Sequence, residues 1–165
     1  MKKLALLFLV TLVAGCGYQV GPTNRPAYKD VKTIFIPVIK NDTYLPQVQT
    51  MISSTIIKKF ENDGSFRVVN EKEADAYLKI ILKRYTQNPL RFSRDNVLVT
   101  QEYELVLEAD WELTSKTGEK LNSNSAVGRT TFYVGNDLVA ARRQAIPLAA
   151  EALAYRIVSS VSEGW

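Results

Sequence analysis

A chain of 165 residues, 46% hydrophobic and 23% charged, has the balance of one globular domain with enough apolar material for a core. Its 21 Lys+Arg exceed its 17 Asp+Glu by too little to argue for nucleic acid. The lack of histidine and the single cysteine exclude Ser–His–Asp and Cys–His sites, HExxH zinc sites, internal disulfides and CxxC redox motifs.

The N-terminus reads Met1-Lys2-Lys3, then the apolar run Leu4 to Ala14, then Gly15-Cys16. A basic start followed by about eleven apolar residues is the pattern of a secretory signal. As a helix that run reaches only about 16 Å, half of a bilayer core, so it is too short to span one. Leu12-Val-Ala-Gly-Cys16 resembles a bacterial lipobox. The Cys16 thiol can carry a diacylglycerol thioether, and cleavage before it frees an amino group for acylation, so several chains hold the protein to a membrane. An ordinary signal peptide beside a free cysteine is the plainer alternative. Gly17 follows the cysteine, where aspartate resembles an inner-membrane retention signal, which points to the inner leaflet of an outer membrane. Loss of residues 1–15 removes Lys2 and Lys3, and 19 − 17 leaves a side-chain charge of +2.

Residues 16–30 read as a lipidated flexible tether and 31–165 as a single domain. Lys32 to Ile39 is a β-type run that Pro37 should interrupt, at a sheet edge or a bulge. Asn41-Asp42-Thr43 offers helix N-caps, and Val48, Met51, Ile52, Thr55, Ile56 and Phe60 then recur at helical spacing. Gly64 suits the left-handed stop. Phe66 to Val69 is a short strand. Ala76 to Tyr85 alternates, placing Ala76, Leu78, Ile80 and Leu82 on one face and Tyr77, Lys79, Ile81, Lys83 and Tyr85 on the other. A loop is expected over 86–96. Val97 to Leu113 alternates again, with Glu102, Glu104, Glu108, Asp110 and Glu112 on the polar side. Lys120 to Val134 is a weaker, Ser/Asn/Thr-rich strand. Asn136-Asp137 caps a last helix to about Ser162, with Val139, Ile146, Ala150, Leu153, Ile157 and Val161 as its buried stripe and a kink or late start at Pro147. The sum is an α+β fold, two helices packed on one face of a mixed sheet of four or five strands.

Three constellations carry possible chemistry. The acidic row could serve acid–base work, yet cross-strand ion pairing on a solvated face explains it as well. Arg91 and Arg94 flank Phe92 at the expected strand tip, where guanidinium groups can grip phosphate while the ring meets apolar material; a soluble, charge-protected hairpin end is the alternative. Arg142-Arg143 opens the last helix, where the helix dipole disfavours cations.

Cys16-Gly-Tyr18, Val31-Lys-Thr-Ile-Phe-Ile-Pro37, Asn41-Asp-Thr43, Gly64-Ser-Phe-Arg-Val-Val69, Ala74-Asp75 and the closing helix together resemble the lipopolysaccharide-assembly lipoprotein family, LptE. The resemblance implies two helices against a four-stranded sheet. It also implies a non-enzymatic lipoprotein on the periplasmic face of the outer membrane, working without cofactor or metal as a plug inside a large β-barrel translocon (LptD). Such a protein helps the barrel assemble and binds lipopolysaccharide partly through basic residues. On electrostatic grounds Arg91, Arg94 and Lys83 are the candidates for that contact. A periplasmic module resembling peptidoglycan-synthase activators or secretion-channel lipoproteins is the second reading, and a hydrolase using the acidic row the third.

Overall fold

The computed structural model describes Tyr28, residues 30–93, 100–135 and 137–163. Cys16, most of the segment 16–30 expected as a tether, Arg94, Val97, Val99 and Asn136 lie outside the described residues. The fold is α+β with a mixed sheet, as expected, but the sheet has six strands. The extra strand comes from Pro37. The run over 32–39 forms β1 (Thr33–Phe35), breaks, and resumes as β2 (Lys40–Asn41). Both lie parallel to β4 (Ala76–Phe92). Phe35 pairs with Tyr77 and Lys40 with Ile81, so five steps on one side match four on the other. That extra residue switches the face of the side chains. Ile34 and Ile36 are buried before the break, and Ile39 is buried after it.

The helix α1 (Gln49–Asp63) begins later than its cap candidates suggest. Asn41-Asp42-Thr43 does not cap it. Asn41 Oδ1 accepts from the Thr43 amide at 3.0 Å and its hydroxyl at 2.7 Å, while the Thr43 hydroxyl accepts from the Leu45 amide at 3.2 Å. These side-chain bonds build the turn between β2 and α1. Gly64 ends the helix with φ of 70° and donates to the Phe60 carbonyl. The short β3 (Arg67–Val68) then returns beside β1 in parallel.

A hydrogen-bond knot ties β1 to the start of β4. Asp75 Oδ2 accepts from the Lys32 amide at 3.0 Å, the Thr33 amide at 2.9 Å and the Thr33 hydroxyl at 2.8 Å. These bonds, the Lys32 amide first, hold the Asp75 pKa below its ordinary carboxylate value.

Where a loop was expected over 86–96, strand β4 runs on to Phe92. It pairs antiparallel with β5 (Thr100–Ser115), which pairs with β6 (Lys120–Tyr133). Leu82 faces Ala109 and Arg84 faces Glu108, so Lys83 is an extra residue on β4. This bulge overturns the simple alternation: Tyr85, expected outside, is 5% exposed and part of the core. On β5 the expected parity holds, with Leu105, Leu107, Ala109, Trp111 and Leu113 buried.

The second helix, α2 (Leu138–Glu163), is capped by Asp137, whose Oδ1 accepts from the Val139 and Ala140 amides at 2.8 and 3.0 Å. It runs through Pro147 without a late start. Val139 is exposed, against expectation. The rest of the expected stripe is buried (Ala150, Leu153, Ile157 and Val161) or partly buried (Ile146), and a row at four-residue spacing continues it toward the start: partly buried Ala141, then buried Ala145, Ala149, Leu153, Ile157 and Val161. Small residues are needed because β6 lies very close. A Cβ on Gly128 would stand 2.2 Å from the Ala149 carbonyl oxygen and 2.5 Å from the Leu153 nitrogen. Ile52, Ile56 and Phe60 of α1 share one core with Leu153, Ile157 and Val161 of α2 and the inner face of the sheet. The sheet order is β3-β1-β4-β5-β6, with β2 pairing farther along β4. Among the described residues, no helix is long and apolar enough to cross a membrane.

Candidate functional site

Both helices cover one face of the sheet, so the alternating polar residues of β4, β5 and β6 make up the other. The acidic row lies there, and each glutamate has a cation: Glu102 with Arg91 at 3.5 Å, Glu104 with Arg129 at 3.4 Å, Glu108 with Arg84 at 3.3 Å and Glu112 with Lys120 at 3.3 Å. Asp110 accepts from the Ser125 hydroxyl at 2.6 Å. Exposed pairs of this kind contribute at most about 1 kcal/mol each, and together they describe an ion-paired face. Lys79 stands opposite Glu112 in register, but Lys120 makes the bond.

Lys83 is occupied elsewhere. With Lys40 it brackets Asp42, each at 3.0 Å. Their hydrogen bonds, Lys40 first, lower the Asp42 pKa. Eight steps along β4 take Lys83 to Arg91, about 27 Å along a strand, so the two do not converge.

Arg91 sits near the end of β4, where pairing becomes irregular. Pro89 faces Tyr103, Arg91 faces Glu102 and Phe92 faces Thr100, leaving Leu90 and Gln101 as extra residues on opposite strands. Two adjacent irregularities twist the strand end and turn its side chains outward. Leu90 and Phe92 are each 51% exposed, and Tyr133, across Glu102 from Arg91, is 64% exposed. Glu102 engages Arg91 through Nε, with the Arg91 side chain 66% exposed. The tip thus offers a guanidinium among three apolar or aromatic groups, a combination that can hold a phosphate beside acyl chains. Arg94, its expected companion, is outside the described residues. Leu90 and Tyr133 were missed in the sequence because one is an unpaired bulge residue and the other belongs to a different strand. Arg142 is explained locally: it interacts with the Tyr85 hydroxyl, opposing the rise in Tyr85 pKa that burial causes. Among the described residues, no cluster of three or more metal-ligating side chains occurs.

The comparisons with known proteins agree with this geometry at the level of fold. The chain is similar to rare lipoprotein B from Shewanella oneidensis, with 12% identity, coverage of 81% of this chain and 96% of that one, and a TM-score of 0.54. It is similar to an uncharacterised lipoprotein B from Nitrosomonas europaea, with 16% identity, 81% of each chain and a TM-score of 0.51. It is also similar to the dodecamer of a leucine-to-methionine variant of PelC from Paraburkholderia phytofirmans, with 16% identity, coverage of 80% and 89%, and a TM-score of 0.51. No curated protein matches the sequence. A family model described as lipopolysaccharide-assembly, LptE, matches residues 31–161, which is nearly the whole folded body. The chain belongs to the LptE lipopolysaccharide-assembly family.

Proposed function

We propose that this protein is an outer-membrane lipoprotein, acylated at Cys16, that plugs and helps assemble the β-barrel lipopolysaccharide translocon and binds lipopolysaccharide during its delivery to the surface. The family match across residues 31–161 carries this reading. The fold alone does not choose, since the PelC dodecamer shares it. Residues 1–15 serve as the signal and 16–30 as the tether to the inner leaflet. An ion-paired polar sheet face suits a barrel lumen, whose walls are polar. Arg91, with Leu90, Phe92 and Tyr133 around it, supplies the lipid contact, and Arg94 follows in the same segment. Lys83, held by Asp42, is a separate and weaker candidate. Affinity purification from detergent-solubilised outer membranes tests the role directly. Recovery of one large β-barrel protein is expected, lost neither in high salt nor in an Arg91→Ala/Arg94→Ala variant, whose lipopolysaccharide binding falls. Recovery of a peptidoglycan synthase in place of a barrel would overturn the reading.

A further inference from the structure

The sheet ends at β6, and the outer side of that strand differs along its length. The Val134 amide donates inward to the Gln101 carbonyl at 2.8 Å, and the β5–β6 register is unbroken from Asn122 to Tyr133. Even-numbered residues of β6 therefore bond inward, and odd-numbered residues turn their amide and carbonyl groups to the open edge. In the first half that edge is closed by its own side chains. Asn122 Oδ1 takes the Ser123 amide at 2.7 Å, and Asn124 Oδ1 takes the Ser125 amide at 2.8 Å. In the second half the outward groups are those of Val127, Arg129, Thr131 and Tyr133. No side chain covers their amides among the described residues, and no proline or bulge interrupts them.

A regular edge with one charge in the run from Leu121 to Tyr133 is a template for another strand, and proteins ordinarily blunt such edges. Here one half is blunted and the other is left open, and a groove of about 710 Å³ borders the strand where the two halves meet, from Ser125 to Arg129. The groove runs between β6 and α2, lined by Val127, Arg129, Ala152, Tyr155 and Arg156 among others. Its unpaired charge is cationic: Arg129 is paired with Glu104 at 3.4 Å, no Asp or Glu is among the described residues that line the groove, and Arg156 has no carboxylate partner among the described side chains. Lys59, over the Tyr155 ring at 5.2 Å, adds to the positive field.

We propose that the open edge of β6 from Val127 to Tyr133 receives an extended segment of a partner protein as an added strand, with an acidic side chain of that segment in the groove beside Arg156. Backbone bonds to the four outward residues supply affinity, and the groove supplies selection for alternate side chains. About 24 Å of edge is available, enough for a seven-residue segment. A second copy of this chain fits less well, because antiparallel β6 edges related by a two-fold axis bring the two grooves, each with an unpaired Arg156, toward each other. The proposal is independent of which lipid the tip binds.

The test uses the full chain in detergent and a blocked, fluorescein-labelled octapeptide of alternating valine and glutamate, read by fluorescence anisotropy. Binding is expected, with slowed hydrogen exchange at the Val127, Arg129, Thr131 and Tyr133 amides. Thr131→Pro removes one outward amide without touching the inward ladder and should weaken binding about tenfold or more. Arg156→Glu, on an exposed side chain, should weaken the glutamate peptide similarly and favour its lysine counterpart. Either no binding at millimolar peptide or equal binding to Thr131→Pro overturns the proposal. A concentration-dependent dimer that Thr131→Pro abolishes does so in favour of self-pairing. Displacement of the peptide by inorganic phosphate, with sensitivity to Arg156→Glu but not to Thr131→Pro, does so in favour of a phosphate site.

Discussion

Asp75 ties three polar groups of β1 to β4 with a single carboxylate oxygen. Charge-assisted hydrogen bonds of this kind are stronger than neutral ones, though the exposure of Asp75 dilutes them. Asp75→Asn should therefore cost about 1 kcal/mol at neutral pH. The pH dependence has a definite sign. Because the folded-state pKa lies below the ordinary carboxylate value of 3.8, the contribution is full above that value and fades as pH falls through the depressed one. Urea midpoints for the wild type and Asp75→Asn should thus differ at pH 7 and converge toward pH 2. An equal gap at both pH values would show that Asp75 acts by shape and not by charge. Ala74-Asp75 was legible in the sequence as a family motif, but its work was not: the bonded partners Lys32 and Thr33 lie more than forty residues away in the chain.

The packing of α2 on β6 turns on Gly128, whose missing side chain lets the helix backbone approach. Gly128→Ala would put a methyl group against backbone atoms that cannot rotate aside, so the helix must lift along its alanine row. A loss of about 3 kcal/mol is expected, at the upper end of ordinary overpacking, and thermal unfolding should show it as a drop of several degrees. An unchanged Tm would mean that α2 does not sit this close. The same contact explains why the helix was misread near its start. Periodicity read from the sequence follows large apolar residues, which selects Val139, whereas a helix held against a glycine buries alanines and selects Ala141 and Ala145. Elements whose side chains alternate or recur without interruption, α1 and β5 above all, were legible directly. Two of the places where alternation failed are bulges away from the strand tip. At Pro37 the break was visible because proline lacks an amide, but at Lys83 nothing in the side chain announces the extra residue, and Tyr85 was assigned to the wrong face. The tip was legible only in part, because its aromatic groups come from β4 and β6 while the eye follows one segment at a time.

Across the molecule, Tyr28, the first described residue, and the tip lie at opposite poles. The Tyr28 hydroxyl donates to the Val161 carbonyl at 2.6 Å, near the C-terminal end of α2. Tyr133 belongs to the tip, and α2 begins soon after it at Leu138. From Leu138 to Val161 a helix rises about 35 Å, comparable to the roughly 30 Å thickness of a bilayer core. If the chain is anchored at Cys16 as proposed, Arg91 and Phe92 stand at the pole away from Tyr28, and the proposed lipid contact is made away from the anchoring membrane. A photo-crosslinking residue in place of Phe92 or Tyr133 should capture lipopolysaccharide in intact cells. The same residue in place of Asn62, beside the Asp63–Ser162 hydrogen bond at the opposite pole, should capture inner-leaflet phospholipid or nothing. All three positions are exposed, so the substitutions should leave thermal stability within about 0.5 kcal/mol of wild type, and adduct identity reports location alone. Lipopolysaccharide adducts at Asn62 with none at Phe92 and Tyr133 would reverse the polarity and remove the tip from the lipid path.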